Sequence, residues 1–218
     1  MQNENIVNTV LQVTNPATSS YTDGLNPTQA SGRQGEGLSA DIHGKWYTAG
    51  YRGVTFIATT PITGVVVPIS STTSATFGLY NPSGSGKNVE LIAYDLSFLT
   101  ATEVVGALEF AVLTGVGGGG AALPTGITAI SALSNPIGGP GYNPVVTAFS
   151  AATVVASTKL IALGIAFGTV VEQAGPITAH LNFEGSIILA PGTLIHVTGN
   201  VAQTASALQQ LIWAEWPI

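Results

Sequence analysis

The chain has 218 residues, enough for one large all-β domain with a sizeable core. Charged residues make up 7% of it and apolar residues 45%, with five Lys and Arg against eleven Asp and Glu, a net charge of -6, and no cysteine. This composition excludes disulfides and thiolate metal sites, lacks the basic stripe that nucleic-acid binding requires, and predicts a neutral exterior that buries much of its area against partners.

The first residues, MQNENIVNTVLQV, show no basic start followed by an apolar stretch, so no secretory signal is expected and the product is read as made in a cytoplasm and held there until released. Residues 1–36 are rich in Asn, Thr, Gln and Ser, and Asn15-Pro16, Asp23-Gly24 and Asn26-Pro27 are turn signals. They read as an extended anchoring arm. Ile6, Val7, Val10, Leu11 and Val13 give the arm an apolar docking piece.

From residue 37 to 218 the pattern is strand after strand, punctuated by Gly, Pro and Asn. Strands are predicted at 38–47, 53–59, 64–70, 74–80, 88–99, 106–114, 145–149, 159–168, 177–189, 193–199 and 207–216. Ala190-Pro191-Gly192-Thr193 reads as the turn of a hairpin, with Pro presetting φ and Gly supplying a positive one. Residues 202–211 could form a turn or two of helix, while residues 208–216 read equally well as a closing strand. Strands without alternating helices imply a sandwich, jelly roll or barrel.

Residues 115–143, GVGGGGAALPTGITAISALSNPIGGPGYN, form a Gly-rich excursion, read either as an element on the outside or oligomer interface of the sandwich or as a flexible insertion. The stretch from Val145 to Val171 is apolar enough to weigh as a membrane span. Its central Lys159 and its Thr, Val and Gly content favour strands, so no membrane partner is expected.

Four groups of residues invite a chemical reading. Pro82-Ser83-Gly84-Ser85-Gly86-Lys87-Asn88 resembles a phosphate loop, but Asn81 stands where the first Gly belongs and Asn88 where the magnesium-binding hydroxyl belongs. Ala75, Phe77 and Leu79 alternate before it, and Ile92, Tyr94, Leu96 and Phe98 after it, so it joins two strands and not a strand to a helix. His43, His180 and His196 lack the spacing of a compact metal site. Glu36, Asp41, Glu103, Glu109, Glu172 and Glu184 are scattered, with no pair marked as a hydrolase dyad and no Gly-x-Ser-x-Gly elbow. No catalytic, cofactor or metal residue is therefore assigned. Trp46, Tyr47 and Tyr51, beside Lys45 and Arg52, are either a sugar-binding platform or core-capping aromatics, the latter being preferred.

Three motifs carry a resemblance: Gly44-Lys45-Trp46-Tyr47 with Tyr51-Arg52-Gly53, Phe77-Gly78-Leu79-Tyr80-Asn81-Pro82 with its glycine turn, and Ala190-Pro191-Gly192 with the closing Trp213-Ala214-Glu215-Trp216-Pro217. Together they resemble tailed-phage virion proteins of jelly-roll type. The resemblance implies a β-sandwich carried on the particle as a decoration, fibre or minor capsid component, in a symmetric homo-oligomer, a trimer favoured, in contact with other capsid proteins. The expectation is thus an all-β, jelly-roll-like antiparallel β-sandwich with an N-terminal arm, non-enzymatic and located on a virion, with a receptor-binding module for a host surface glycan as the alternative.

Overall fold

The computed structural model describes residues 46–99, 104–135, 143–157, 159–167 and 178–218. The predicted arm, the first strand from 38 to 45 and the tail of the 115–143 excursion lie outside these residues. Where the first predicted strand ends, the chain forms a turn at Trp46 and a short helix α1 (Tyr47–Tyr51). The aromatic positions there suited a strand, but Tyr47 and Tyr51 stack one helical turn apart.

Thirteen strands follow among the described residues: β1 (Thr55–Thr59), β2 (Val65–Val66), β3 (Ser74–Ala75), β4 (Gly78–Asn81), β5 (Lys87–Phe98), β6 (Gly106–Leu113), β7 (Thr125–Ile130), β8 (Leu133–Asn135), β9 (Thr147–Thr153), β10 (Lys159–Phe167), β11 (Thr178–Leu189), β12 (Thr193–Gly199) and β13 (Ser206–Pro217). They form two antiparallel sheets. The first runs β11-β5-β13-β1-β8, with β2 also on β13, and the second β10-β6-β12-β4-β9-β3, with β7 also on β9.

Eight of these strands make a jelly roll. β1-β13-β5-β11 face β4-β12-β6-β10, and in chain order every connection among the eight changes sheet except β6 to β10, which pair directly. The three strands β7, β8 and β9 are inserted in that one connection. β8 extends the first sheet beyond β1, and β9 extends the second beyond β4. Much of the Gly-rich excursion is therefore regular structure. Gly115 to Gly120 close a tight turn, with Gly120 N donating to Gly115 O at 2.9 Å, and the chain then returns as β7 and β8.

Side chains alternating along the strands fill the space between the sheets. Phe56, Tyr94, Leu96, Phe98, Leu211 and Trp213 from the first sheet meet Phe77, Leu79, Leu108, Phe110, Ile195 and Val197 from the second. Tyr94 and Phe110 pack edge to face at 5.7 Å across this gap. A second cluster covers the outer face of the second sheet: Tyr80, Leu113, Phe149 and Leu194 lie under Val116, Ala121 and Ile127 of the insertion. Every residue of β12 is consequently buried.

Two sequence expectations about these strands change. Ile92 does not share a face with Tyr94, because Ala93 and Leu91 pair with consecutive residues of β13, leaving Ile92 as the extra residue of a bulge. It points to the outer face with Ala93, Ala214 and Trp46. The Pro191-Gly192 turn is not a hairpin either: Gly192 has the expected positive φ of 75°, but β11 and β12 lie in opposite sheets, so the turn crosses between layers.

Candidate functional site

The phosphate-loop look-alike is a second interlayer crossing, from β4 to β5, with no helix after it. Ser85 N donates to Pro82 O at 3.0 Å, and Lys87 N to Ser85 Oγ at 3.2 Å, as in a compact turn. Asn81, fully buried, ties the two crossings together. Its Nδ2 donates to Lys87 O at 2.9 Å and to Leu189 O at 3.0 Å, while its backbone carbonyl accepts from Gly192 N. The Asn that fails the phosphate motif is thus an architectural residue.

The acids and histidines separate into structural and exposed groups. Glu215, 3% exposed, accepts from Val145 N, Val146 N and Trp213 Nε1 at 3.0 to 3.2 Å, which fixes the approach to β9 against β13. Glu90 accepts from Trp216 Nε1 at 2.7 Å. Glu184 is the one described non-Gly residue with positive φ, at 48°, in a β11 bulge completed by Gly185. His196 is 1% exposed on the outer side of β12, opposite Gly78 and Ala111, whose small size leaves room for the ring. Neither ring nitrogen has a hydrogen-bond partner, and Glu109 Oε2 on the neighbouring strand is likewise buried and unpartnered. Burial lowers the His196 pKa from 6.5 to about 4, opposed only by the weaker pull of the Val197 backbone. His43, Glu36, Asp41, Glu103 and Glu172 lie outside the described residues. Among those described, no group of three or more His, Asp or Glu is placed to hold a metal ion, and no helix is long and apolar enough to cross a membrane.

Sequence reasoning missed the most organised polar feature, a row across four strands on the outer face of the first sheet. Register places His180 of β11 opposite Asp95 of β5, Asp95 opposite Gln210 of β13, and Gln210 opposite Thr59 of β1. His180 Nδ1 lies 2.6 Å from Asp95 Oδ1, Gln210 Nε2 donates to Asp95 Oδ2 at 3.0 Å, and Thr59 Oγ1 donates to Gln210 Oε1 at 3.3 Å. The row borders an open depression of about 370 Å3, which Ser97, Thr178 and Leu208 also line. Beneath it, Tyr94 donates its hydroxyl to buried Gln209 at 3.0 Å. Its pKa is raised well above 10.0, first by burial and then by the charge of adjacent Asp95.

The aromatic cluster divides. Trp46 packs on Ile92, Ala93 and Ala214 and so caps the outer face of the same sheet, as the core-capping alternative expects. Tyr47 and Tyr51 instead stay 49% and 62% exposed, their rings stacked 6.1 Å apart and 14° from parallel. Comparison of the chain with models of protein families, with curated proteins and with solved structures finds no match.

Proposed function

We propose that this chain is a non-enzymatic structural protein of a bacteriophage virion, a jelly-roll subunit that assembles with copies of itself, a trimer favoured, and with other capsid proteins as a decoration, fibre or minor capsid component. The observation that carries the reading is an exterior poor in charge and studded with apolar side chains. Leu160 and Ile161 on the sheet-edge strand β10, and Ile188 on the sheet-edge strand β11, are 36% to 61% exposed in a chain with 7% charged residues. Edges of this kind invite strand addition or side-by-side packing, and few repelling charges oppose close contact between copies. The sequence resemblance supplies the virion context, and the jelly-roll strand order agrees with it without fixing the function.

The test is the mass of the purified full-length protein in solution, together with its incorporation into particles. The expected result is a discrete oligomer of the 22.1 kDa chain, bound to particles through the arm, so that deleting residues 1–33 abolishes incorporation. A plain monomer, or full occupancy without the arm, overturns it. A second reading, host-glycan recognition, is favoured by the exposed, stacked Tyr47 and Tyr51 rings, since sugar rings pack their C–H faces on aromatic surfaces.

A further inference from the structure

We propose that the depression bordered by Thr59, Gln210, Asp95 and His180 is a binding site for a neutral saccharide. This deepens the second reading above and rests on it, but uses a site separate in sequence from the Tyr47 and Tyr51 pair.

The direction of the hydrogen bonds decides the chemistry. A carboxylate only accepts, so His180 Nδ1 carries the proton shared with Asp95 Oδ1, and Gln210 Nε2 donates to Oδ2. Thr59 donates in turn to Gln210 Oε1. These donors all run toward Asp95. What the row presents outward is chiefly acceptor capacity, in the remaining carboxylate lone pairs and the Thr59 oxygen, beside the second N–H of Gln210 Nε2. The hydroxyls of Ser97 and Thr178, which both donate and accept, line the same depression. A ligand that matches must bring several donors at spacings of a few ångströms and tolerate acceptors among them, as the vicinal hydroxyls of a sugar do.

Charge, size and shape narrow the class. Asp95 repels phosphates, sulfates and acidic sugars, and among the described residues lining the site none is Lys or Arg. None is Phe, Tyr or Trp, so the cage that holds quaternary ammonium groups is missing there. Leu208 offers an apolar patch for a C–H face. The volume of about 370 Å3 lies at the small end of ligand sites, which suits one or two sugar rings. The groups are held in advance by their own row across four paired strands, so binding orders little that is not already ordered.

The experiment applies the full-length protein to an array of neutral and acidic glycans and titrates it calorimetrically with glucose, galactose, mannose, N-acetylglucosamine and lactose, with tetramethylammonium as a control. His180→Ala, Gln210→Ala, and Tyr47→Ala with Tyr51→Ala are compared, each checked for an unchanged melting temperature; Ser97→Ala replaces any variant that melts early. The expected result is binding of at least one neutral saccharide, weakened about tenfold by His180→Ala and by Gln210→Ala, the loss of about one hydrogen bond, and unchanged by the tyrosine substitutions. Binding that the tyrosine substitutions remove and the row substitutions leave intact overturns this site and keeps the second reading. Binding of none of the neutral saccharides overturns it, as does binding of acidic glycans or tetramethylammonium alone.

Discussion

His196 is a titratable ring walled in by Gly78 and Ala111 with no partner for either nitrogen, and that makes it a liability in acid. Its folded pKa of about 4 lies below the unfolded value of 6.5, so between these values the unfolded chain binds a proton that the folded chain refuses. Stability from this residue is complete above pH 6.5, falls as the pH drops toward 4 and then levels off, by about 3 kcal/mol in all. Denaturant unfolding across that window should show His196→Leu losing less stability than the parent chain. An identical slope for both would mean that the buried ring takes up its proton without cost. In sequence His196 is only a lone histidine inside Leu194-Ile195-His196-Val197, because burial on the outer side of β12 depends on an insertion that ends more than 40 residues upstream in the chain. The row of His180, Asp95, Gln210 and Thr59 was hidden for a related reason. Each residue falls on a predicted strand, but only the register of three strand pairs sets them in line.

At the scale of elements, the interlayer crossings carry the architecture. β4 to β5 and β11 to β12 both leave one sheet and enter the other near Asn81, whose side chain holds the start of β5 and the end of β11. Asn81→Ala strips the buried Leu189 carbonyl of its side-chain donor and leaves the half-buried Lys87 carbonyl only that of Ser85, and should lower unfolding stability by about 1 to 3 kcal/mol; a change under about 0.5 kcal/mol would mean the crossings hold without it. The bulges make a similar point. Phe183 to Ser186 in β11 and Ile92 in β5 interrupt the same level of the first sheet, and Gly185 there has a φ of 81°, which side-chain-bearing residues rarely adopt, with the Glu90 side chain lying against it. The Glu184-Gly185 pair was a visible signal of such a break, whereas Ile92 fits the alternating pattern and gave none. The Pro191-Gly192 turn shows what local chemistry omits: it sets φ at the bend, but the partner of each flanking strand is chosen by hydrogen bonds formed far away in sequence.

For the whole molecule, the inserted segment covers the outer face of the second sheet over β4, β6 and β12, while the outer face of the first stays open around the polar row. The remaining exterior is neutral, so contacts between copies of this chain should be driven by apolar burial and hydrogen bonding. Raising salt to about 1 M shortens electrostatic reach to about 3 Å, and the oligomer expected here should keep its mass under those conditions. Dissociation in salt would point to an interface built on ion pairs, which a chain with five Lys and Arg can supply only sparsely.

The sequence by itself determined the all-β class, the positions of most strands, the strand-to-strand nature of the glycine turn at 82–88 and the shortage of charge, because these follow from local alternation, turn chemistry and composition. Tertiary structure alone decided which strands share a sheet, that the Gly-rich stretch supplies β7 and β8, that Trp46 is a cap while Tyr47 and Tyr51 face solvent, and that His180 meets Asp95. Those outcomes depend on register between strands distant along the chain, and a period of two fixes the face of a residue without naming its neighbour.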